Sequence, residues 1–235
     1  MKIDFFGHSI CGKRSGPDRP KTFVDMLVEH YQAGNQWIGF ANCSEERLLY
    51  TMKKTKDIDV AIIFHSDPSF IYTPSFECDY HRLSEQQLNE KFIYDVPKFH
   101  PEWKKDNLFA QNDERIELDE ETAKNAFLTY YNYFTTPEVN RNRHYGALIQ
   151  IDQLCAAKNI KVIHCPKSRK DIPQWFKFTT GLVDWDIASM QNDGSKYSVS
   201  YNKVDNAISE EGNRIIYEKF VKYIDQLVNQ STNNG

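Results

Sequence analysis

The sequence lacks an excess of positive charge and lacks long apolar runs. It has 29 lysine and arginine residues against 33 aspartate and glutamate residues, which gives a net charge of −4. Proteins that bind nucleic acid normally carry a concentrated basic face, so we expect no nucleic-acid partner. No apolar stretch approaches the roughly 18 residues that span a bilayer, and Met1 and Lys2 lead directly into a predicted strand instead of a signal peptide. We therefore expect a cytoplasmic protein without a membrane span.

The sequence also lacks the spacings typical of metal and nucleotide sites. Its five cysteines are an odd number and include no Cys-x-x-Cys pair, which argues against a zinc knuckle or a disulfide framework. The seven histidines are scattered without a ligand-spaced pair. Neither Gly-x-Gly-x-x-Gly nor Gly-x-x-x-x-Gly-Lys-[Ser/Thr] occurs, so a nucleotide-binding domain lacks its usual phosphate loop. We expect no metal and no cofactor.

What is present is an alternation of strand and helix patterns. The 235 residues, 40% hydrophobic and 14% aromatic, suffice for one domain with a substantial core. Apolar runs predict four strands, at Lys2–Phe6, Gln36–Ala41, Asp59–Phe64 and Ile160–His164. Helical periodicity and capping residues predict five helices, at Pro20–Ala33, Ser44–Lys54, Glu121–Thr135, Val139–Lys158 and Ser209–Val228. This alternation predicts an α/β fold of three α/β/α layers around a mainly parallel sheet.

The stretch from about residue 66 to residue 120 shows neither period clearly. It is rich in proline, tyrosine, phenylalanine, histidine and charge, and its aromatic residues require something to pack against. We interpret it as an insertion or cap within a single domain that spans residues 1–235, since long stretches without regular structure are uncommon unless functional.

A serine follows the first predicted strand in a glycine-flanked turn, Gly7-His8-Ser9-Ile10-Cys11-Gly12. In a parallel sheet such a residue lies at the carboxyl edge, where ligand sites occur, and a following helix contributes its positive end. A serine at that position is a candidate nucleophile. His8 is not its base, because adjacent side chains in an extended turn diverge.

Three short blocks, taken together, resemble the SGNH (GDSL-like) hydrolase family. Gly7-His8-Ser9 is similar to the family's Gly-Asp-Ser opening, with histidine in place of aspartate. After the second strand the family places a backbone oxyanion donor, which Gly39 or Asn42 would supply here. After the third strand it places an asparagine donor, and this sequence has Ser66 at that position. The implied oxyanion hole is Ser9, Gly39 or Asn42, and Ser66.

The third block precedes the last predicted helix and reads Asp205-Asn206-Ala207-Ile208-Ser209-Glu210-Glu211-Gly212-Asn213. It resembles the family pattern Asp-Asn-His-[Leu/Ile]-Ser-x-Glu-Gly-Asn, so that Asp205 aligns with the catalytic aspartate and Ala207 with the catalytic histidine. Under an Asp-x-x-His spacing, Ile208 takes the histidine position instead. Ser209 is the expected N-cap of the helix.

The resemblance implies the flavodoxin-like SGNH fold and a serine esterase acting on a small-molecule or carbohydrate ester, with Ser9 as nucleophile. Because Ala207 cannot act as a base, the chain is expected to be inactive or severely slowed. Two origins stay open, an introduced inactivating substitution and a natural pseudo-enzyme, and His65 or His164 is an alternative base. The other functional hypothesis is a non-catalytic protein that binds a carbohydrate or acyl ligand on the same scaffold.

Overall fold

Strand β1 (Ile3–Gly7) is buried along its whole length, as its apolar sequence predicts. A computed structural model of the chain describes residues 1–7, 21–32, 37–39, 43–55, 57–68, 125, 129, 133–187, 198–201 and 204–232. The predicted insertion at 66–120 lies outside these ranges from residue 69 onward.

Within the described ranges, β1 belongs to a five-stranded sheet. The other members are β2 (Trp37–Gly39), β3 (Val60–Phe64), β4 (Lys161–Cys165) and β5 (Leu182–Val183). All neighbouring pairs are parallel, and the order is β2-β1-β3-β4-β5. The predicted parallel sheet is therefore confirmed, with the strand order of flavodoxin-like doubly wound sheets.

Helices lie on both faces of this sheet. They are α1 (Phe23–Tyr31), α2 (Glu45–Lys54), α3 (Pro137–Ala157) and α4 (Glu210–Thr232). Helix α2 begins after its predicted N-cap, since the Ser44 hydroxyl accepts a hydrogen bond from the Arg47 N–H. Helix α1 begins later than predicted, because Thr22 and Asp25 form a capping box. Of the predicted helix Glu121–Thr135, residues 125, 129, 133, 134 and 135 are described; the first four are helical, and Thr135 lies beyond the helix end.

The hydrophobic core is divided into two clusters by the sheet. On one face, Phe23 of α1 and Phe220 of α4 pack against Phe5 and Phe64 of the strands. On the other face, α2 and α3 pack against side chains such as Phe6 and Ile63. The two clusters give the three-layer α/β/α arrangement that the sequence predicts.

A two-stranded antiparallel hairpin precedes α4, made of β6 (Ser198–Tyr201) and β7 (Val204–Ile208). Neither strand was predicted, because polar residues interrupt the hydrophobic alternation here. Residues 205–207, which precede the last predicted helix, therefore lie in a strand, in which Ala207 pairs with Val199. Strand β5 was missed as well, because it has only two residues.

Gly7 ends β1 in a conformation that favours glycine, with φ of +132°. A Cβ added at Gly7 would lie 2.4 Å from the Phe64 carbonyl oxygen of β3. We expect Gly7→Ala to lower the free energy of unfolding by roughly 2 to 4 kcal/mol, from backbone strain and overpacking together. Urea unfolding followed by circular dichroism measures this loss.

Gly146→Ala in α3 is the matched control, because nothing lies within 4 Å of a Cβ added there. Alanine is the better helix former, so this variant is expected to gain about 0.5 to 1 kcal/mol. Equal stability of the two variants would contradict the close approach of β1 and β3.

Candidate functional site

The strand order creates a crevice at the carboxyl ends of β1 and β3. The chain leaves β1 towards β2 on one side and leaves β3 towards β4 on the other, which is the arrangement that places ligand sites in doubly wound sheets. The two strand ends are adjacent, with Phe6 in register with Ile63. The predicted nucleophile, Ser9, follows Gly7 by two residues in the sequence and lies outside the described residues.

The predicted oxyanion donors after β2 are described in part. Gly39, the last residue of β2, is paired in register with Gly7, so the backbones of β1 and β2 end side by side. Asn42, the alternative donor, lies outside the described residues. The structure thus brings the Gly39 backbone to the end of β1 and leaves the choice between Gly39 and Asn42 a prediction.

Ser66, the predicted third donor, lies two residues beyond the end of β3 and is fully buried. Its backbone N–H donates to Oε2 of Glu45 at 2.9 Å. Its hydroxyl has no hydrogen-bond partner among the described residues. The hydroxyl, and not the backbone amide, is therefore the group that Ser66 has available.

Glu45 is a carboxylate at the first position of α2, and it is only 1% exposed. The positive end of the helix favours a negative charge there. Although burial by itself would raise the pKa of this carboxyl, the charge and hydrogen bond of His65 outweigh burial, and the pKa is held below its usual range. Glu45 is therefore ionised at neutral pH.

His65 and His164 form a buried pair at the ends of β3 and β4. Oε1 of Glu45 lies 2.6 Å from Nδ1 of His65, and Nε2 of His65 lies 2.9 Å from Nδ1 of His164. Nε2 of His164 lies 3.1 Å from the hydroxyl oxygen of Thr180. All four ring nitrogens are thus engaged, which counts against either histidine as the base for a hydroxyl at position 9.

Asp152 of α3 terminates this chain of hydrogen bonds. It is 2% exposed and accepts from the backbone N–H and the hydroxyl of both Thr179 and Thr180, at distances from 2.6 to 3.2 Å. The result is a continuous network, Glu45–His65–His164–Thr180–Asp152, that links α2, the end of β3, β4 and α3.

His144 of α3 is a third buried histidine beside this network. Its Nε2 donates to the Asp171 carbonyl oxygen at 3.0 Å, and its Nδ1 has no hydrogen-bond partner among the described residues. Burial lowers the pKa of His144, while the carboxylate of Glu45 opposes the change. His144 is therefore a neutral imidazole.

Burial and the neighbouring Asp67 raise the pKa of the Asp171 carboxyl to about 6.

The C-terminal block is anchored at the same edge of the sheet. The Ser209 hydroxyl accepts from the Gly212 N–H at 3.0 Å, which confirms the predicted N-cap. The buried Asn213 side chain accepts from the Phe23 N–H at 2.9 Å and donates to the Ile208 carbonyl oxygen at 3.1 Å. The start of α4 is thereby joined to the start of α1, the first helix after the strand that precedes Ser9.

The two alignments of the missing histidine differ in the structure. Ile208 is buried in the core formed with α1 and α4, where an imidazole would replace a packed aliphatic side chain. Asp205 and Ala207 lie in β7. The Asp-x-x-His spacing is therefore disfavoured, and Ala207 remains the predicted position.

Sequence reasoning missed Glu45, Asp152 and Thr180 as members of a buried polar cluster. Glu45 also lies in the first turn of α2, where an acidic residue is common. Its burial depends on His65, which is 20 positions away in the sequence. The one available signal was His65-Ser66 directly after a strand of five apolar residues, Val60–Phe64.

Two further properties concern only the described part of the chain. It contains no group of three or more histidine, cysteine, aspartate or glutamate side chains arranged to hold a metal ion. None of its helices combines the length and apolar character needed to cross a bilayer.

No protein-family model matches the chain, and no curated protein matches it. The crystal structure of a member of the lipolytic protein G-D-S-L family from Veillonella parvula DSM 2008 is similar at 10% sequence identity, with a TM-score of 0.43, over 94% of this chain and 96% of that chain. The α/β/α fold assigned above follows from the strand order and helix packing of the chain itself.

Proposed function

We propose that this chain is an SGNH-type serine ester hydrolase in which Ser9 is the nucleophile and Asp205 the catalytic aspartate, with Ala207 in place of the histidine. The substrate is a small-molecule or carbohydrate ester. One observation carries the proposal: β1, β3 and the starts of α1 and α4 meet at the switch point of a flavodoxin-like sheet. The candidate residues of the three sequence blocks follow β1, β2 and β3 and precede α4.

The junction between β7 and α4 supports this assignment. Asn213 belongs to the same sequence block as Asp205, and its amide bonds both the Ile208 carbonyl oxygen and the Phe23 N–H. These bonds hold the start of α4 against the start of α1, the first helix that follows β1 in the sequence. A triad made from position 9 and positions 205–207 requires that proximity.

The oxyanion donors are supported to different degrees. Gly39 ends beside Gly7, and the buried Ser66 has an uncommitted hydroxyl next to the end of β3. Such a hydroxyl in a buried site is a stronger donor to a developing oxyanion than one in water. Ser66 would therefore take the role of the family's asparagine through its side chain.

The mechanism requires a base that the chain does not supply at position 207. Ser9 would attack the ester carbonyl, the oxyanion donors would stabilise the tetrahedral intermediate, and the alcohol would leave. Water would then release the acyl group. Both steps need a base, so the unmodified chain is expected to acylate slowly and to release the acyl group slowly.

An acyl-trapping experiment tests this prediction. We expect that prolonged incubation with excess p-nitrophenyl acetate leaves one acetyl group on the peptide that contains Ser9, since oxyanion stabilisation alone retains about 10³-fold acceleration over water. Mass spectrometry of proteolytic peptides locates the group. The Ser9→Ala variant should lose it, and the matched Ser15→Ala variant should keep it. Acetylation spread evenly over serines, or absent from Ser9, would contradict the proposal.

A non-catalytic protein that binds a carbohydrate or acyl ligand is the second candidate function. It is favoured by one observation, the engagement of all ring nitrogens of His65 and His164, which leaves neither of them as a replacement base. A binding protein retains no acetyl group on Ser9, so the same experiment separates the two functions.

A further inference from the structure

The direction of each hydrogen bond in the Glu45–Asp152 network can be worked out from its ends. At the Asp152 end, the Thr180 hydroxyl donates its one proton to Oδ1 of Asp152 at 2.7 Å. The Thr180 oxygen can then only accept from Nε2 of His164. His164 therefore carries a proton on Nε2.

The Glu45 end of the network fixes the protonation of Nδ1 of His65. Oε2 of Glu45 accepts from the Ser66 N–H, and Oε1 lies 2.6 Å from Nδ1 of His65. An ionised carboxylate offers no proton, so Nδ1 of His65 must donate. His65 therefore carries a proton on the nitrogen that faces Glu45.

Nε2 of His65 and Nδ1 of His164 then face each other at 2.9 Å. The ring centroids are 5.1 Å apart and the ring planes differ by 15°, so the imidazoles lie edge to edge and nearly coplanar. If both rings were neutral, with protons only on Nδ1 of His65 and Nε2 of His164, the lone pairs of the two facing nitrogens would repel each other at this distance. One additional proton is needed between them. We propose that His65 and His164 hold this proton between them and that the resulting ion pair with Glu45 positions Ser66 at the end of β3.

The surroundings of the pair agree with one positive charge. Two buried carboxylates face it, Glu45 from α2 and Asp152 from α3, and His144 of α3 is a neutral neighbour. The Phe178 ring stacks on His164 at 3.9 Å and lies 5.2 Å from His65, an arrangement that favours a cation. Burial and the charge of His65 hold the pKa of His164 well below its usual range.

Positioning of Ser66 follows from the shared carboxylate. Glu45 bonds the His65 ring through one oxygen and the Ser66 N–H through the other. Removing the proton would set two lone pairs against each other and leave the Glu45 charge uncompensated in a buried site. The turn at residues 65 and 66 would then lose the interactions that fix it.

The Glu45→Gln variant removes the need for the proton. A glutamine amide accepts from the Ser66 N–H and donates to Nδ1 of His65, so His65 then donates through Nε2 to His164 and both rings are neutral. Glu46→Gln is the matched control, because Glu46 is the next residue of α2 and its ion pair with Arg143 at 2.9 Å is partly exposed. We measure the unfolding equilibrium constant of all three proteins in urea between pH 5 and pH 8.

Above pH 6.5 an unfolded histidine releases its proton, whereas the folded pair keeps one. Unfolding then releases a proton, so stability falls as pH rises. The unfolding constant of the unmodified chain, divided by that of Glu45→Gln, is expected to rise about tenfold per pH unit, which is roughly thirtyfold between pH 6.5 and pH 8. The ratio to Glu46→Gln is expected to stay constant.

Below pH 6.5 all three proteins are expected to lose stability. The lowered pKa values of His144 and His164 mean that their unfolded forms bind more protons. The raised pKa of Asp171, about 6, acts in the opposite direction because the folded carboxyl takes up a proton first. All three proteins share these contributions, so the contributions cancel when one unfolding constant is divided by another.

Nitrogen-15 NMR of the histidine side chains gives a second readout that needs no variant. Three ring N–H groups are expected for His65 and His164 together in the unmodified chain at pH 7.5, and two in Glu45→Gln. Two ring N–H groups in the unmodified chain, or a ratio to Glu45→Gln that does not change with pH, would overturn the shared proton. If Glu45→Gln does not fold, the NMR count on the unmodified chain decides.

The positioning of Ser66 rests on the proposed function and is tested in the Ala207→His background. There Glu45→Ala, which removes the bonds to both His65 and Ser66, is expected to lower kcat about tenfold and leave KM unchanged. Glu45→Gln keeps both bonds and is expected to restore most of the kcat, and Glu46→Gln should have no effect. An active Ala207→His parent that is insensitive to Glu45→Ala, or a Glu45→Gln variant as slow as Glu45→Ala, would refute the positioning role alone. An inactive but folded parent would refute the proposed function and leave the shared proton to the NMR count.

Discussion

Replacing Ala207 with histidine is expected to raise kcat/KM for p-nitrophenyl acetate by at least about a hundredfold over the unmodified chain. A positioned general base contributes typically 10² to 10⁴ in rate, because it takes the proton from the attacking hydroxyl and later activates water. Position 207 lies in β7, one residue before the buried Ile208 and two before the cap of α4. The measurement is the release of p-nitrophenolate at pH 7 to 8.

Two further variants show whether the gain comes from a triad. In the Ala207→His background, Ser9→Ala should abolish the new activity, and Asp205→Asn should reduce it strongly because the carboxylate holds the tautomer of the histidine. Ser15→Ala in the same background is the matched control and should have no effect. A folded Ala207→His protein without any gain would contradict the esterase proposal and favour the ligand-binding protein.

Most of the fold could be predicted from the sequence because its elements are defined by local patterns. The run at Val60–Phe64 is apolar at every position, as a strand buried on both faces requires. Ser44 and Ser209 were identified as caps from their position before a first turn that contains glutamate, and both accept the expected hydrogen bonds. Signals of this kind need only a few adjacent residues.

The buried network could not be predicted because its members are separated in the sequence. His65 and His164 are 99 positions apart, and Asp152 reaches Thr180 across 28 positions. Each residue alone matches a common surface pattern, such as a helix acid or a threonine in a loop. Only the pairing of β3 with β4, and the packing of α2 and α3 on one face, bring the charges together.

Asp152→Asn is expected to lower the free energy of unfolding by about 3 to 5 kcal/mol, the typical cost of breaking a buried charged network. The carboxylate accepts from two N–H groups and two hydroxyls of Thr179 and Thr180. An asparagine has one acceptor oxygen, so its NH₂ group would face donors that now bond the second carboxylate oxygen. The Thr180 hydroxyl, which accepts from Nε2 of His164, would also lose the bond to residue 152 that holds it in place. Urea unfolding at pH 7.5 measures the loss.

Asp225→Asn of α4 separates this effect from a general cost of removing a carboxylate. Asp225 is exposed and accepts one hydrogen bond from the Tyr31 hydroxyl at 3.0 Å, so its amide form should stay within about 0.5 kcal/mol of the unmodified chain. A loss below 1 kcal/mol in Asp152→Asn would mean that water or rearranged donors compensate for the charge. In that case the Thr180 hydroxyl need not donate to Asp152. The assignment of a proton to Nε2 of His164, and with it the count of three N–H groups in the His65–His164 pair, would then fail.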